Sequence, residues 1–227
     1  MVKGRWKFSS GCMGADIVGV GISPRKDNES QGLPRMAVMP AKKAKIDMTW
    51  DTVGLKGTGS HDLVVEDVLV AKEWTFVRGE PSKLPEPFFK YPSLSLATQV
   101  LTVVGIGVAA AALDEFKKLA PGKASITGGA EIANRPVTQY EFAQVEAEFK
   151  AARTWFYETM DAVWNEVVAG QKPTDEQISD MRLSCTHAAR VAAKVTRKMQ
   201  MLAGMTAIYT NNVSVSYTHL RAHETGR

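Results

Sequence analysis

Apolar residues change their spacing partway along this chain. Up to Val70 they come in short runs rich in β-branched and aromatic side chains, at Arg5–Ser9, Ile17–Ile22, Met36–Pro40, Lys45–Thr49 and Asp62–Val70. Near-alternation over so few residues is the signature of half-buried strands. Ser23-Pro24, Gln31-Gly32-Leu33-Pro34 and Gly57-Thr58-Gly59 separate these runs and supply turn chemistry. Short strands at this spacing predict an antiparallel β-barrel or sandwich. Trp6 and Phe8 stand two apart in the first run and are predicted to share one face of it.

Val77 to Pro92 then carries Gly79, Pro81, Pro85, Pro87 and Pro92, a composition that forbids a long helix and reads as a linker. The predicted boundary falls inside it, giving a β-domain over 1–88 and a helical domain over 89–212. Beyond it the apolar period becomes helical in three stretches: Leu94 to Leu119, Pro136 to Ala169 and Thr174 to Gly204. Phe142, Val145, Phe149, Ala152, Phe156, Met160 and Val163 recur at three- and four-residue steps, a core-facing stripe. Thr174 is the expected N-cap of the third helix, with Asp175, Glu176 and Gln177 in its first turn. The fold class expected is therefore α+β, a β-domain followed by a helix bundle. Val213 to Arg227 has no helical apolar period and is expected to be a non-native tail, its His219 and His223 carrying no role.

From Tyr91 to Leu113 there is no charged residue, a length that could span a bilayer. Ser93, Ser95, Thr98, Gln99 and Thr102 interrupt its first half, and glycines and alanines dominate its second, so burial between other helices is the expectation, not a membrane. A content of 44% hydrophobic residues in 227 is ample for a core. A net charge of +4 spread along the chain offers no basic stripe for nucleic acid. Lys42, Lys43 and Lys45 read as a solvated edge. Cys12 and Cys185 are too few and too distant for a disulfide framework or metal site. The opening strand lacks an apolar signal region, and a cytoplasmic location is expected.

Two segments carry candidate chemistry. The first is Val2 to Cys12, with Arg5-Trp6-Lys7-Phe8-Ser9-Ser10-Gly11 at its centre; the second is Trp50 to Val70, containing Gly57-Thr58-Gly59-Ser60-His61-Asp62. The glycines of the second could cradle a phosphate, but no helix is expected to start after them and no Gly-Lys-Thr follows, so a tight turn is the better reading. His61 has a side chain suited to proton transfer and is a candidate acid or base, although a surface histidine beside Asp62 is the simpler account. His187, among alanines, reads as an interhelical hydrogen-bonding residue.

Taken together, these two segments resemble the acyl-CoA dehydrogenase superfamily, and within it the two-component flavin-dependent monooxygenases that hydroxylate phenols and related heterocycles. The likeness runs from about Val2 to Thr210. It implies a β-domain followed by an incomplete four-helix bundle, because members of that family carry a helical domain ahead of the first motif and a histidine signature on a fourth bundle helix. The cofactor implied is FAD or FMN, supplied reduced by a separate reductase, with O2 and a small aromatic molecule as substrates and a homotetramer as the full-length assembly. A flavin needs an apolar wall and partners for its polar edge. The resemblance gives these roles to Trp6, Phe8, Ser9, Ser10 and Gly11, with Ser9 at the flavin N5; Arg135 and Gln139, at the start of the second helix, are candidates for the pyrophosphate or adenine of a neighbouring subunit's flavin, with an ordinary helix-start cation as the equal alternative for Arg135. The serines could equally be a strand end. Two further readings stay open: a true acyl-CoA dehydrogenase that oxidises the Cα–Cβ bond of an acyl-CoA, and an inactive fragment.

Overall fold

A computed structural model of the chain describes residues 1–26, 29–30, 32–52, 55–77, 79–123 and 128–208. The tail expected over 213–227 lies outside the described residues, as do Gln31 of one predicted turn and Val53 and Gly54 of the second motif. The chain divides into two compact units, Met1–Pro81 and a second that begins at Ser82.

The first unit is antiparallel β. Strands β1 (Val2–Trp6), β2 (Ile17–Ile22), β3 (Arg25–Lys26), β4 (Glu29–Ser30), β5 (Arg35–Pro40), β6 (Lys45–Asp47), β7 (Asp62–Val68) and β8 (Thr75–Val77) follow in chain order. They form two three-stranded sheets, ordered β1-β7-β6 and β2-β5-β8, and a β3-β4 ribbon. Of the barrel and the sandwich, the strands take the two-sheet form. Alternation decides which side chains go inward. Val18 and Val20 of β2 are buried between exposed Ile17, Gly19 and Gly21, and they pair across the ladder with buried Met39 and Ala37 of β5. Leu63 and Val65 of β7 and Val2 of β1 join them in one apolar cluster that draws on both large sheets. Cys12 completes it as a free thiol.

The second unit holds three long helices, α1 (Ser93–Leu119), α2 (Pro136–Val168) and α3 (Asp175–Ala203). Thr174 caps α3 as its sequence requires: its hydroxyl accepts from the Gln177 amide at 3.1 Å while Gln177 Oε1 accepts from the Thr174 amide at 2.8 Å. The stripe on α2 faces the core, with Val145, Phe149, Ala152, Phe156 and Val163 buried and Phe142 and Met160 partly so. Helix α3 packs along both α1 and α2, which touch each other only briefly. Its small residues permit this: the Cβ of Ala192 lies 3.7 Å from where a side chain at Gly105 of α1 would begin. Burial pushes the Cys185 thiol pKa up.

Helix α1 contributes Ile106, Ala109, Ala112, Leu113 and Phe116 to the helical core, as a core helix is expected to do, and leaves a second face open. Ser95, Gln99, Thr102, Ile106 and Ala109 line its buried face, while Leu94, Val100, Leu101 and Val104 are exposed, Leu101 at 77%. Among the described residues it is the one helix long and apolar enough to cross a membrane, with a third of its most apolar stretch buried. His187 is differently placed, exposed on α3 with its ring 5.8 Å from that of Trp155 on α2. Its contact between helices is a ring contact rather than the hydrogen bond expected.

Gly4 shows how tightly the β unit is filled. A side chain begun there would come within 2.7 Å of the Trp6 indole, which folds back over it and donates from Nε1 to the Gly21 carbonyl at 2.8 Å. Gly4→Ala should therefore lower stability by about 1–3 kcal/mol, the usual cost of an overpacked methyl group. Thermal unfolding of the variant measures this. An unchanged melting temperature would mean that the indole swings aside freely.

Candidate functional site

Both motifs leave regular structure close to one another. Strand β1 ends at Trp6, short of the Ser9 expected, because Phe8 takes a left-handed backbone with φ of 61°. Gly11, Leu55 and Gly59 also have positive φ, so left-handed backbone recurs in two loops, one following β1 and one preceding β7. Without a ladder, these loops satisfy each other. The Ser9 amide donates to the His61 carbonyl at 3.0 Å, the Gly11 amide to the Thr58 carbonyl at 2.9 Å, and the Cys12 thiol to the Gly59 carbonyl at 3.6 Å. The predicted turn over Gly57-Thr58-Gly59 is a 3-10 turn at Lys56–Thr58.

Hydroxyl groups line the seam between the loops. Ser10 Oγ lies 2.8 Å from Ser60 Oγ, which lies 2.7 Å from Thr58 Oγ1, and Thr58 Oγ1 donates to the Leu55 carbonyl at 2.9 Å. Ser9 Oγ donates to the Trp6 carbonyl at a longer 3.3 Å. Ser60 is 5% exposed, whereas Ser10 is exposed and Ser9 half-buried. Phe8 is 72% exposed and meets Trp50 edge-on at 6.2 Å between ring centres. Because Phe8 has left the strand, it does not share a face with Trp6 as expected. Trp6 is taken up by the seam between the two large sheets.

His61 is buried at 7% exposure, not the surface residue that seemed simplest from the sequence. Its Nδ1 accepts the Trp50 backbone amide at 3.0 Å, which places the proton of the neutral ring on Nε2. In that tautomer the only imidazole lone pair is already used. His61 thus fixes the residue 50 turn.

Beneath the loops lies a charge cluster that sequence reasoning missed. Asp47 of β6 and Asp62 of β7 are paired directly across the ladder, a placement that repels. Arg5 of β1 resolves it by donating from Nε to Asp62 at 2.7 Å and from Nη2 to Asp47. Thr49 Oγ1 adds a bond to the second Asp62 oxygen at 3.0 Å. The available signal was the presence of Arg5 and Asp62 within the two motifs. Trp50 was missed likewise, although it opens the second motif and its indole donates to the Leu55 carbonyl at 3.0 Å.

Arg135 and Gln139, at the start of α2, are turned onto their own chain. Arg135 Nε donates to the Ala130 carbonyl and Gln139 Nε2 to the Ala133 carbonyl, each at 2.9 Å. Among the described residues no group of His, Cys, Asp and Glu could hold a metal ion. Ser9, Ser10 and Gly11 form a polar edge near the exposed ring of Phe8.

A family model described as acyl-CoA dehydrogenase, C-terminal domain, matches residues 99–213. The chain is 87% identical over 212 residues to an indole-3-acetate monooxygenase of Acinetobacter baumannii, covering 93% of this chain and 54% of that protein. It is 57% identical over 211 residues to an indole-3-acetate monooxygenase of Pseudomonas putida, covering 93% and 54%. A solved structure of XiaF from Streptomyces, in complex with FADH2 and glycerol, superposes with a TM-score of 0.87 at 18% identity, covering 96% of this chain and 59% of that one. The chain spans about half the length of the curated relatives it matches.

The Arg5 contacts hold the Asp62 carboxyl below the usual carboxylate range. A depressed folded pKa stabilises the fold above the unfolded value and is lost as pH falls through the folded one. Arg5→Met removes that depression and leaves two facing aspartates. Its acid-unfolding midpoint, followed by circular dichroism, should move to higher pH; an unmoved midpoint would mean that Arg5 is only a surface partner.

Proposed function

The chain belongs to the acyl-CoA dehydrogenase C-terminal-domain family, and on that premise we propose that it is part of the oxygenase component of a two-component flavin-dependent monooxygenase. The reaction is hydroxylation of a small aromatic acid of the indole-3-acetate type, with O2 and reduced FAD or FMN delivered by a separate reductase. One observation carries the reading: 87% identity over 212 residues to a protein with that named activity. The FADH2-bound structure that shares this fold supports the cofactor. The cytoplasm as location and a homotetramer as the full-length assembly belong to the same proposal. So do the domain limits at 1–88 and 89–212, with 213–227 as a non-native tail.

Ser9, Ser10 and Gly11 would hold the polar rim of the flavin, and Phe8 would cover part of its face. Trp6 would act from behind by fixing the end of β1. Reduced flavin, when bound, supplies the electrons that activate O2 for transfer of one oxygen atom to the substrate ring. The chain's own part is to bind, orient and keep water away, since water in such a site diverts the oxidant. His61 supports the loop through Trp50, and the acid or base of the reaction is sought elsewhere in the full-length protein. Arg135 and Gln139 would reach a neighbouring subunit's flavin only after leaving their local carbonyls.

The experiment is anaerobic titration of the purified chain with FMNH2 and FADH2, then oxygen uptake by the full-length protein with a flavin reductase and indole-3-acetate. Ser9→Ala should weaken reduced-flavin binding about fivefold, the worth of one ordinary hydrogen bond. Oxidation of an acyl-CoA with an artificial electron acceptor, in place of oxygen uptake, would overturn the reading in favour of a dehydrogenase.

A further inference from the structure

The β unit has a cleft to which neither loop of the seam contributes. Its volume is about 360 Å³, within the range of about 300–1,000 Å³ that suits small organic ligands. Its lining joins buried Met39 and half-buried Val70 to three large apolar side chains, Ile17, Leu69 and Trp74, each more than half exposed. Single exposed apolar residues are ordinary. Three that come from β2, from the segment after β7 and from the turn before β8 to meet on one concavity mark a binding surface. Lys43 is the one charged residue of the lining, and among the described residues it makes no ion pair.

Two short turns hold the cationic and aromatic parts of the cleft in place. Ala41–Lys43 is a 3-10 turn tied to the chain entering β2: the Ala41 amide donates to the Asp16 carbonyl at 2.8 Å, and the Ala44 amide to the Ala41 carbonyl at 2.9 Å. Lys72–Trp74 is another, in which the Trp74 amide donates to the Ala71 carbonyl at 3.0 Å. The Thr75 hydroxyl then donates to the Lys72 carbonyl at 2.8 Å and accepts from Arg35 Nε at 3.1 Å. The backbones that carry Lys43 and Trp74 are therefore set before a ligand arrives, which lowers the ordering cost of binding. The cleft offers an indole for a planar ring, aliphatic side chains for its edges and one ammonium for one negative charge. A second charge on the ligand would meet only apolar side chains, and its desolvation would go uncompensated.

We infer that this cleft binds a small aromatic monocarboxylate, with its ring against Trp74 and Leu69 and its carboxylate at the Lys43 ammonium. The site stands on the β unit alone and is independent of what the two loops bind. Indole-3-acetate belongs to this class of ligand and serves as the probe.

The test is titration of the full chain with indole-3-acetate, followed through the tryptophan indole N–H signals in two-dimensional NMR, with that of Trp74 identified from Trp74→Phe. Lys43 is exposed, so its replacement leaves the core intact, and circular dichroism checks the fold of each variant. The Trp74 signal should move saturably. Lys43→Met should weaken binding about threefold, the worth of an exposed ion pair, and Lys43→Arg should retain it. Indole-3-acetamide, which lacks the charge, should bind the parent about threefold more weakly than the acid and be indifferent to Lys43→Met. A Trp74 signal that stays in place up to about 10 mM acid would overturn the inference, and so would equal losses for acid and amide in Lys43→Met. A Trp74 signal that moves with protein concentration in the absence of acid would show that a second copy of the chain covers the cleft, and would overturn it as well.

Discussion

A loop that leaves its strand has no ladder to satisfy its amides, and the β unit answers this by making two loops serve as partners for each other. Ser9, Gly11 and Cys12 donate across the seam to His61, Thr58 and Gly59. That mutual pairing lets β1 stop early, lets Phe8 and Leu55 hold left-handed backbones, and brings hydroxyls from both motifs into one row. Strain of this kind persists only where the surroundings fix it. Here they do so by hydrogen bonding above and by the Arg5 bridge to Asp47 and Asp62 below. The strands can be regarded as the frame that keeps these two irregular segments in register.

Much of the architecture was legible because it follows from local rules. The three helices, the Thr174 cap and the inward stripe from Val145 to Val163 were all readable, since helical periodicity over many turns and a capping box are strong signals. The strands were legible as alternating runs, but their ends were not. Nothing in Arg5-Trp6-Lys7-Phe8-Ser9 announces a left-handed residue at Phe8; that conformation comes from pairing with a segment some fifty residues away. Strand β8 was not anticipated, because Thr75-Phe76-Val77 is too short to show a period.

The site was readable in its parts and unreadable in its connections. The motifs drew notice to Ser9, Ser10 and His61, and the structure sets the two serines at the open edge. His61 lies behind them, occupied by the Trp50 amide. The residues that give the edge its character, Thr58, Ser60, Leu55 and Trp50, carry no catalytic signature of their own. They matter through the hydrogen bonds that join the two loops, a property that side-chain identity alone does not reveal. On α1 the small residues lie against α3 and Ile106, Leu113 and Phe116 are buried with them, while Leu94, Val100, Leu101 and Val104 stand on the other side.

The indole folded over Gly4 has a bearing on how this segment could change over generations. Because the ring fills the space of the missing side chain, positions 4 and 6 form a coupled pair in which the order of substitution matters. A smaller residue arriving first at position 6 would clear room for any side chain at position 4. The reverse order passes through a clashing intermediate. Leaving the glycine first carries the cost of moving the indole, and giving up the tryptophan first gives up the hydrogen bond to Gly21 that joins the two large sheets.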